Sequence, residues 1–133
     1  MLTETDASVS AAAEALGELL REHKGQNVSV LDLREMITWT DFFVIATVSS
    51  NTHMDGLERH IKDFCYENDI SILGKSQKNE TGDDEWRLLD LGQIVIHLMS
   101  GSARDFYELE KLWTKIPVPH RTPEQYAHSS KSS

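Results

Sequence analysis

Residues 42–48 read FFVIATV, an apolar run without polar alternation, and a strand of that composition has to be covered on both faces. A sheet with one wet side could bury only half of it. The chain must therefore fold in layers, with helices packed on a sheet. Its 133 residues suffice for one such domain and not for two.

Helices able to provide that cover are written on either side of the run. Val9, Ala12, Ala13, Leu16, Leu19 and Leu20 recur at the three-and-four spacing of a helical face, with Arg21, His23 and Lys24 near its negative end and Gly25 as a stop. Ser49, Ser50 and Asn51 can each cap a second helix, in which Met54, Leu57, Ile61 and Phe64 keep the period until Asn68 and Asp69 break it. A last helix has Ser102 and Asp105 as a capping pattern and Phe106, Leu109, Leu112 and Trp113 as its buried stripe. Ile116-Pro117 ends it, and PVPHRTPEQYAHSSKSS reads as a loose tail.

Further strands are expected at 28–33, at 70–73 on a sheet edge, and at 85–89 and 93–99, with an exposed polar loop over 74–84. The last two strands form a hairpin through Asp90, Leu91 and Gly92. A type I turn with Gly92 in the left-handed position sets Leu89 opposite Gln93, Leu88 opposite Ile94 and Trp86 opposite Ile96. His97 then lies on the other face from Trp86, whereas a one-residue slip unites them. Charged Asp84, Glu85 and Arg87 give the strand a wet side, which leaves Trp86 as either a core residue or an interface anchor. The expected architecture is a single α/β domain over 1–116, a mixed sheet of about five strands flanked by helices, and a loosely ordered tail over 117–133.

Composition narrows the range of functions. Twenty-two acidic against 13 basic side chains leave a formal charge of −9, which repels phosphate backbones and disfavours direct, sequence-specific nucleic-acid binding. The same charge steers a basic protein partner toward the chain. No apolar run approaches a membrane span, and the acidic, polar start MLTETDASVS is unlike a signal peptide, so a cytoplasmic protein without membrane attachment is expected. Cys65, the single cysteine, falls on the apolar side of a helix and reads as a small buried hydrophobe.

Catalytic and metal motifs are sparse. His53 and His60 share nearly one helix face, but two turns separate their rings by about 10 Å, too far for one zinc ion. Asp32, Asp41, Glu85 and Asp90 stand at strand ends, where phosphotransfer enzymes often place carboxylates, without the alternating pair that two-metal chemistry needs. Neither GxxxxGK[ST] nor GxGxxG nor GxSxG occurs, and Gly101-Ser102 opens a helix. No catalytic residue, cofactor or metal site is assigned.

One stretch carries a family likeness. From Trp86 the order is Trp, Asp-Leu-Gly, a Val-Ile-His run and Tyr-Glu-Leu-Glu-Lys-Leu-Trp, ending at Trp113, with a weaker upstream likeness through LDLREMITWTDFFVIATVSSNTHM. This order resembles the ribosomal silencing factors, the RsfS or Iojap family. The resemblance implies a small mixed α/β domain, related in fold to nucleotidyltransferases but without their catalysis. It also implies binding to the fourteenth protein of the large ribosomal subunit, where the bound domain hinders docking of the small subunit and so represses translation during starvation. Organellar members are tied to ribosome assembly. The motif residues matched are Asp41, Phe42, Phe43, Trp86, Asp90, Leu91, Gly92, His97, Tyr107, Leu109, Glu110, Leu112 and Trp113.

Partner contact is accordingly expected at Trp86, Leu88, Asp90, His97, Met99 and Tyr107, with Leu109, Leu112 and Trp113 in support. Gln93 departs from the acidic residue usual after the turn glycine, and Val48 from a small residue after the buried strand. Gln93 offers a hydrogen bond but no charge attraction. Two other functions fit the composition: a catalytic or vestigial nucleotidyltransferase using Asp32 or Asp90, and a homo-oligomeric scaffold, a homodimer at its simplest, pairing through its apolar strands.

Overall fold

In the computed structural model, which describes residues 2–35, 40–79 and 85–107 apart from the side chains of 2–7, 78, 79, 85 and 105–107, the apolar run is strand β2 (Phe42–Val48), buried at all seven positions. Before it come helix α1 (Leu2–Glu22) and strand β1 (Gln26–Asp32), and after it helix α2 (Asn51–Glu67), strands β3 (Gly74–Asn79), β4 (Glu85–Asp90) and β5 (Ile94–Ser100), and helix α3 (Gly101–Tyr107). The strands form one five-stranded sheet in the order β1-β2-β5-β4-β3, with β2 and β5 parallel and the other pairs antiparallel. The mixed α/β sheet expected from the sequence is the one observed. No helix among the described residues is long and apolar enough to cross a membrane.

Alternation along the strands divides the core in two. On one face Phe42, Val44, Ala46, Leu89, Ile94, Ile96 and Leu98 meet Ala13, Leu16 and Leu20 of α1 and Met54, Leu57, Ile61 and Cys65 of α2. The opposite face gathers Phe43, Ile45, Trp86, Leu88, Val95 and Met99 with Leu33 and Ala103. Burial pushes the Cys65 thiol up to about 11, in keeping with an inert packed side chain. Helix α2 starts where Ser50 Oγ accepts the His53 N–H at 3.0 Å and ends at Asn68, whose side-chain amide donates to the Phe64 carbonyl at 2.8 Å.

Three local expectations are corrected. The edge strand is Gly74–Asn79, inside the segment expected to be a loop, while 70–73 form no strand. A polar edge strand needs only one hydrogen-bonded neighbour and can turn its side chains to water, so its composition resembles a loop. The β4–β5 hairpin closes through two residues, Gly92 and Gln93, because the Leu91 N–H donates to the Ile94 carbonyl at 2.8 Å. Gly92 has φ 91°, the positive value that a type II′ turn places at its first central position. The turn thus sits two residues later on the β4 side and one later on the β5 side than expected, and Trp86 pairs with Met99 and Leu88 with His97. The third correction concerns the last helix, capped by Ser100, whose Oγ accepts the Ala103 N–H at 3.1 Å, and not by Ser102. The side chains of its expected stripe and the expected tail over 117–133 lie outside the described residues.

Gly17 lets α1 approach β1 closely, since a Cβ added there would lie 2.8 Å from Val30 Cγ2. Alanine is the better helix former by about 1 kcal/mol, but overpacking a branched neighbour costs about 1–3 kcal/mol. Gly17→Ala is therefore expected to lower the urea midpoint without changing the denaturant slope, a net loss of about 1 kcal/mol.

Candidate functional site

On the face opposite α1 and α2, the observed register places Trp86 and Leu88 of β4 beside His97 and Met99 of β5. Trp86 Nε1 donates to His97 Nδ1 at 3.0 Å, diagonally across the two strands. The Phe43 ring meets the imidazole in a T-shaped contact with centroids 4.5 Å apart. Trp86 and His97 thus share a face, contrary to the register preferred from the sequence, because the turn closes through Gly92 and Gln93.

His97 has no accessible surface, and burial pushes its imidazole down to about 3, so the ring is neutral. With the Trp86 N–H directed at Nδ1, the ring proton resides on Nε2, which has no hydrogen-bond partner among the described residues. An unpaired buried N–H costs about 1–3 kcal/mol.

The six expected contact residues are placed unequally. Trp86, Leu88, His97 and Met99 form one continuous cluster, in which Trp86 and Leu88 each retain 8% of their surface and the other two none. Asp90, 1% exposed, uses Oδ1 to accept the Gly92 N–H at 2.9 Å and so holds the turn. Tyr107 belongs to α3, its side chain outside the described residues. Leu109, Leu112 and Trp113 also lie outside them. The cluster is therefore mostly packed, with the rims of Trp86 and Leu88 reaching the surface.

The expected wet side of β4 is corrected. Arg87 points to the α2 face and is buried, its Nη1 2.7 Å from Asp55 Oδ1 and 2.8 Å from Glu58 Oε1. Glu58, also buried, further accepts from Lys62 and Lys75 at 3.0 and 3.1 Å. Burial alone would raise the Glu58 carboxyl, and the two lysines more than offset it, leaving it below its ordinary 4.5. The sequence signal was the alternation itself, which puts Arg87 on the same side as Leu89. A second arginine, Arg104 of α3, donates to Thr47 Oγ1 at 3.1 Å, to Ser29 Oγ at 3.0 Å and to the Asn27 carbonyl, tying α3 to β1 and β2.

Other candidate residues take structural roles. Asp32 is gripped by Arg34, with Nε 2.9 Å from Oδ1 and Nη2 2.6 Å from Oδ2, and the hydrogen bond holds its carboxyl below the usual range. His60 stacks on His23 with centroids 3.6 Å apart, while His53 Nε2 lies 2.9 Å from the His23 carbonyl. Among the described residues no group of three or more His, Cys, Asp or Glu is arranged to hold a metal ion.

Fold and site together define a small α/β protein with helices on one face of a mixed sheet and an aromatic cluster tied by a Trp–His hydrogen bond on the other. The family described as "Ribosomal silencing factor during starvation" matches residues 6–133, and the chain belongs to that family. It is 36% identical over 108 residues to "Ribosomal silencing factor RsfS" of Treponema pallidum, covering 80% of this chain and 93% of the relative. It is 33% identical over 107 residues to "Mitochondrial assembly of ribosomal large subunit protein 1" of Mus musculus, covering 76% of this chain but only 44% of that longer protein. A crystal structure from Chromobacterium violaceum superposes with a TM-score of 0.66 at 28% identity, covering 87% of this chain and 91% of that one.

Because the His97 folded-state value lies below its ordinary 6.5, the unfolded chain binds the extra proton between the two. Stability attributable to this residue is complete above pH 6.5 and declines as pH falls toward 3, by up to about 1.4 kcal/mol per pH unit. In urea titrations between pH 6.5 and 4.5, His97→Phe is expected to flatten the dependence of unfolding free energy on pH. An unchanged slope would show that His97 is not the group responsible.

Proposed function

We propose that this chain represses translation by docking on the large ribosomal subunit through its fourteenth protein and obstructing the small subunit with its own bulk. The observation that carries this proposal is the aromatic cluster around Trp86, inside residues 6–133, which match the silencing-factor family. A formal charge of −9 favours steering toward a basic ribosomal protein, with an association rate that falls as salt rises.

The docking site is assigned to Trp86, Leu88, Asp90, His97, Met99 and Tyr107 as one unit with unequal parts, of which His97 is fully buried and lies behind the contact surface. Trp86 and Leu88 supply the accessible rim, Met99 packs beneath it, and Asp90 holds the turn beside it. No chemical turnover is part of the mechanism. The Asp32 carboxylate is engaged by Arg34 and the Asp90 carboxylate by the Gly92 N–H, so both carry structural bonds.

Pull-down with isolated large subunits tests the proposal directly. The wild-type chain is expected to co-sediment with them, and Trp86→Ala to weaken binding at least about tenfold, as truncation of an interface tryptophan does. Unchanged binding by the variant would remove Trp86 from the interface. No binding by the wild type would reject the partner, and a dimer persisting in the complex would favour a self-associating scaffold.

A further inference from the structure

We propose that His97 is a positioning residue for docking: its Nδ1 lone pair holds the Trp86 indole in the orientation the partner meets, while the imidazole itself touches no partner atom. The inference rests on Trp86 being a docking residue, as proposed above.

Geometry separates the two roles. His97 has no accessible surface, whereas Trp86 retains a rim, so any influence of His97 on a partner has to pass through a neighbour. Its polar link is to the indole N–H at 3.0 Å, made on the diagonal between strands where only long or aromatic side chains reach each other. The Phe43 edge contact fixes the plane of the imidazole, and through it the direction of the Nδ1 lone pair.

The other ring nitrogen shows what the site asks of this residue. Nε2 is buried without a hydrogen-bond partner among the described residues. An aliphatic or phenyl side chain would fill comparable space without bringing an unpaired N–H of its own into the core, so filling volume does not explain an imidazole here. What an imidazole adds is the acceptor aimed at Trp86. An indole N–H deprived of that acceptor would seek one elsewhere, and the ring would turn with it.

Two substitutions distinguish the acceptor from the ring. Asparagine sets its side-chain oxygen near the position of Nδ1, so His97→Asn can keep the acceptor while removing the ring. His97→Phe keeps a ring and removes the acceptor. Binding to isolated large subunits and the indole N–H resonance of Trp86, identified by its loss in Trp86→Phe, are measured for each variant. Expected are a shifted resonance and about three- to tenfold weaker binding for His97→Phe, the worth of one net hydrogen bond, with both largely restored in His97→Asn. In the Trp86→Phe background His97→Phe should make no further difference, the signature of action through Trp86 alone.

Equal losses in both backgrounds, or unchanged binding despite a shifted indole, would reduce His97 to a core residue and overturn the proposal. Should His97→Phe fail to fold, His97→Gln, whose amide reaches toward Nε2, makes the same comparison against His97→Asn. If the wild type does not bind large subunits, the docking function falls first. If it binds and only the His97 comparison fails, the positioning role alone is lost.

Discussion

The parallel pairing of β2 with β5 governs the rest of the structure. Antiparallel neighbours can be joined by a tight turn, but parallel ones need a long crossover, which here takes up α2, β3 and β4. Both central strands are apolar along almost their whole length, so each face must be covered. Helices α1 and α2 cover one, and the cluster containing Trp86, Leu33 and Ala103 forms the other. The aromatic site is thus the second half of the core, reaching the surface at the rims of Trp86 and Leu88.

Strand β4 is held on each face by a different polar bond. Toward α2, Arg87 joins Glu58 and Asp55, and toward the opposite face Trp86 joins His97. Sliding β4 by one residue would turn the guanidinium into the aromatic cluster and leave the indole N–H among the aliphatic side chains of the helix-covered face. Each displacement would bury a polar group without its partner. The two bonds therefore specify register as well as adding stability, and register is what places Trp86 beside His97.

Much of the fold was legible in the residues. Unbroken apolarity marked β2 with its observed bounds, and three-and-four spacing marked α1 and α2, because burial of one helical face leaves a period in the sequence. Strand β3 was missed since GKSQKN carries no apolar period, and its strand character comes from hydrogen bonds to β4. Arg87 was misread for a related reason. A charged side chain suggests water, yet Glu58 and Asp55 supply its counter-charges from a helix about thirty residues earlier in the chain.

The candidate site shows the same division more sharply. Trp86, Leu88, Asp90, His97 and Met99 could all be singled out from the sequence, as could the need for a glycine at the turn. Which of them meet could not be read there, since a change of register by a single residue moves a side chain to the other face. Composition and periodicity determined the layered α/β fold, its helices and its most buried strand, all of which depend on local pattern and burial. Only the tertiary structure decided the hairpin register, the Trp86–His97 bond and the burial of Arg87. Each of these depends on residues brought together across strands or between strand and helix, and no local period encodes that distance.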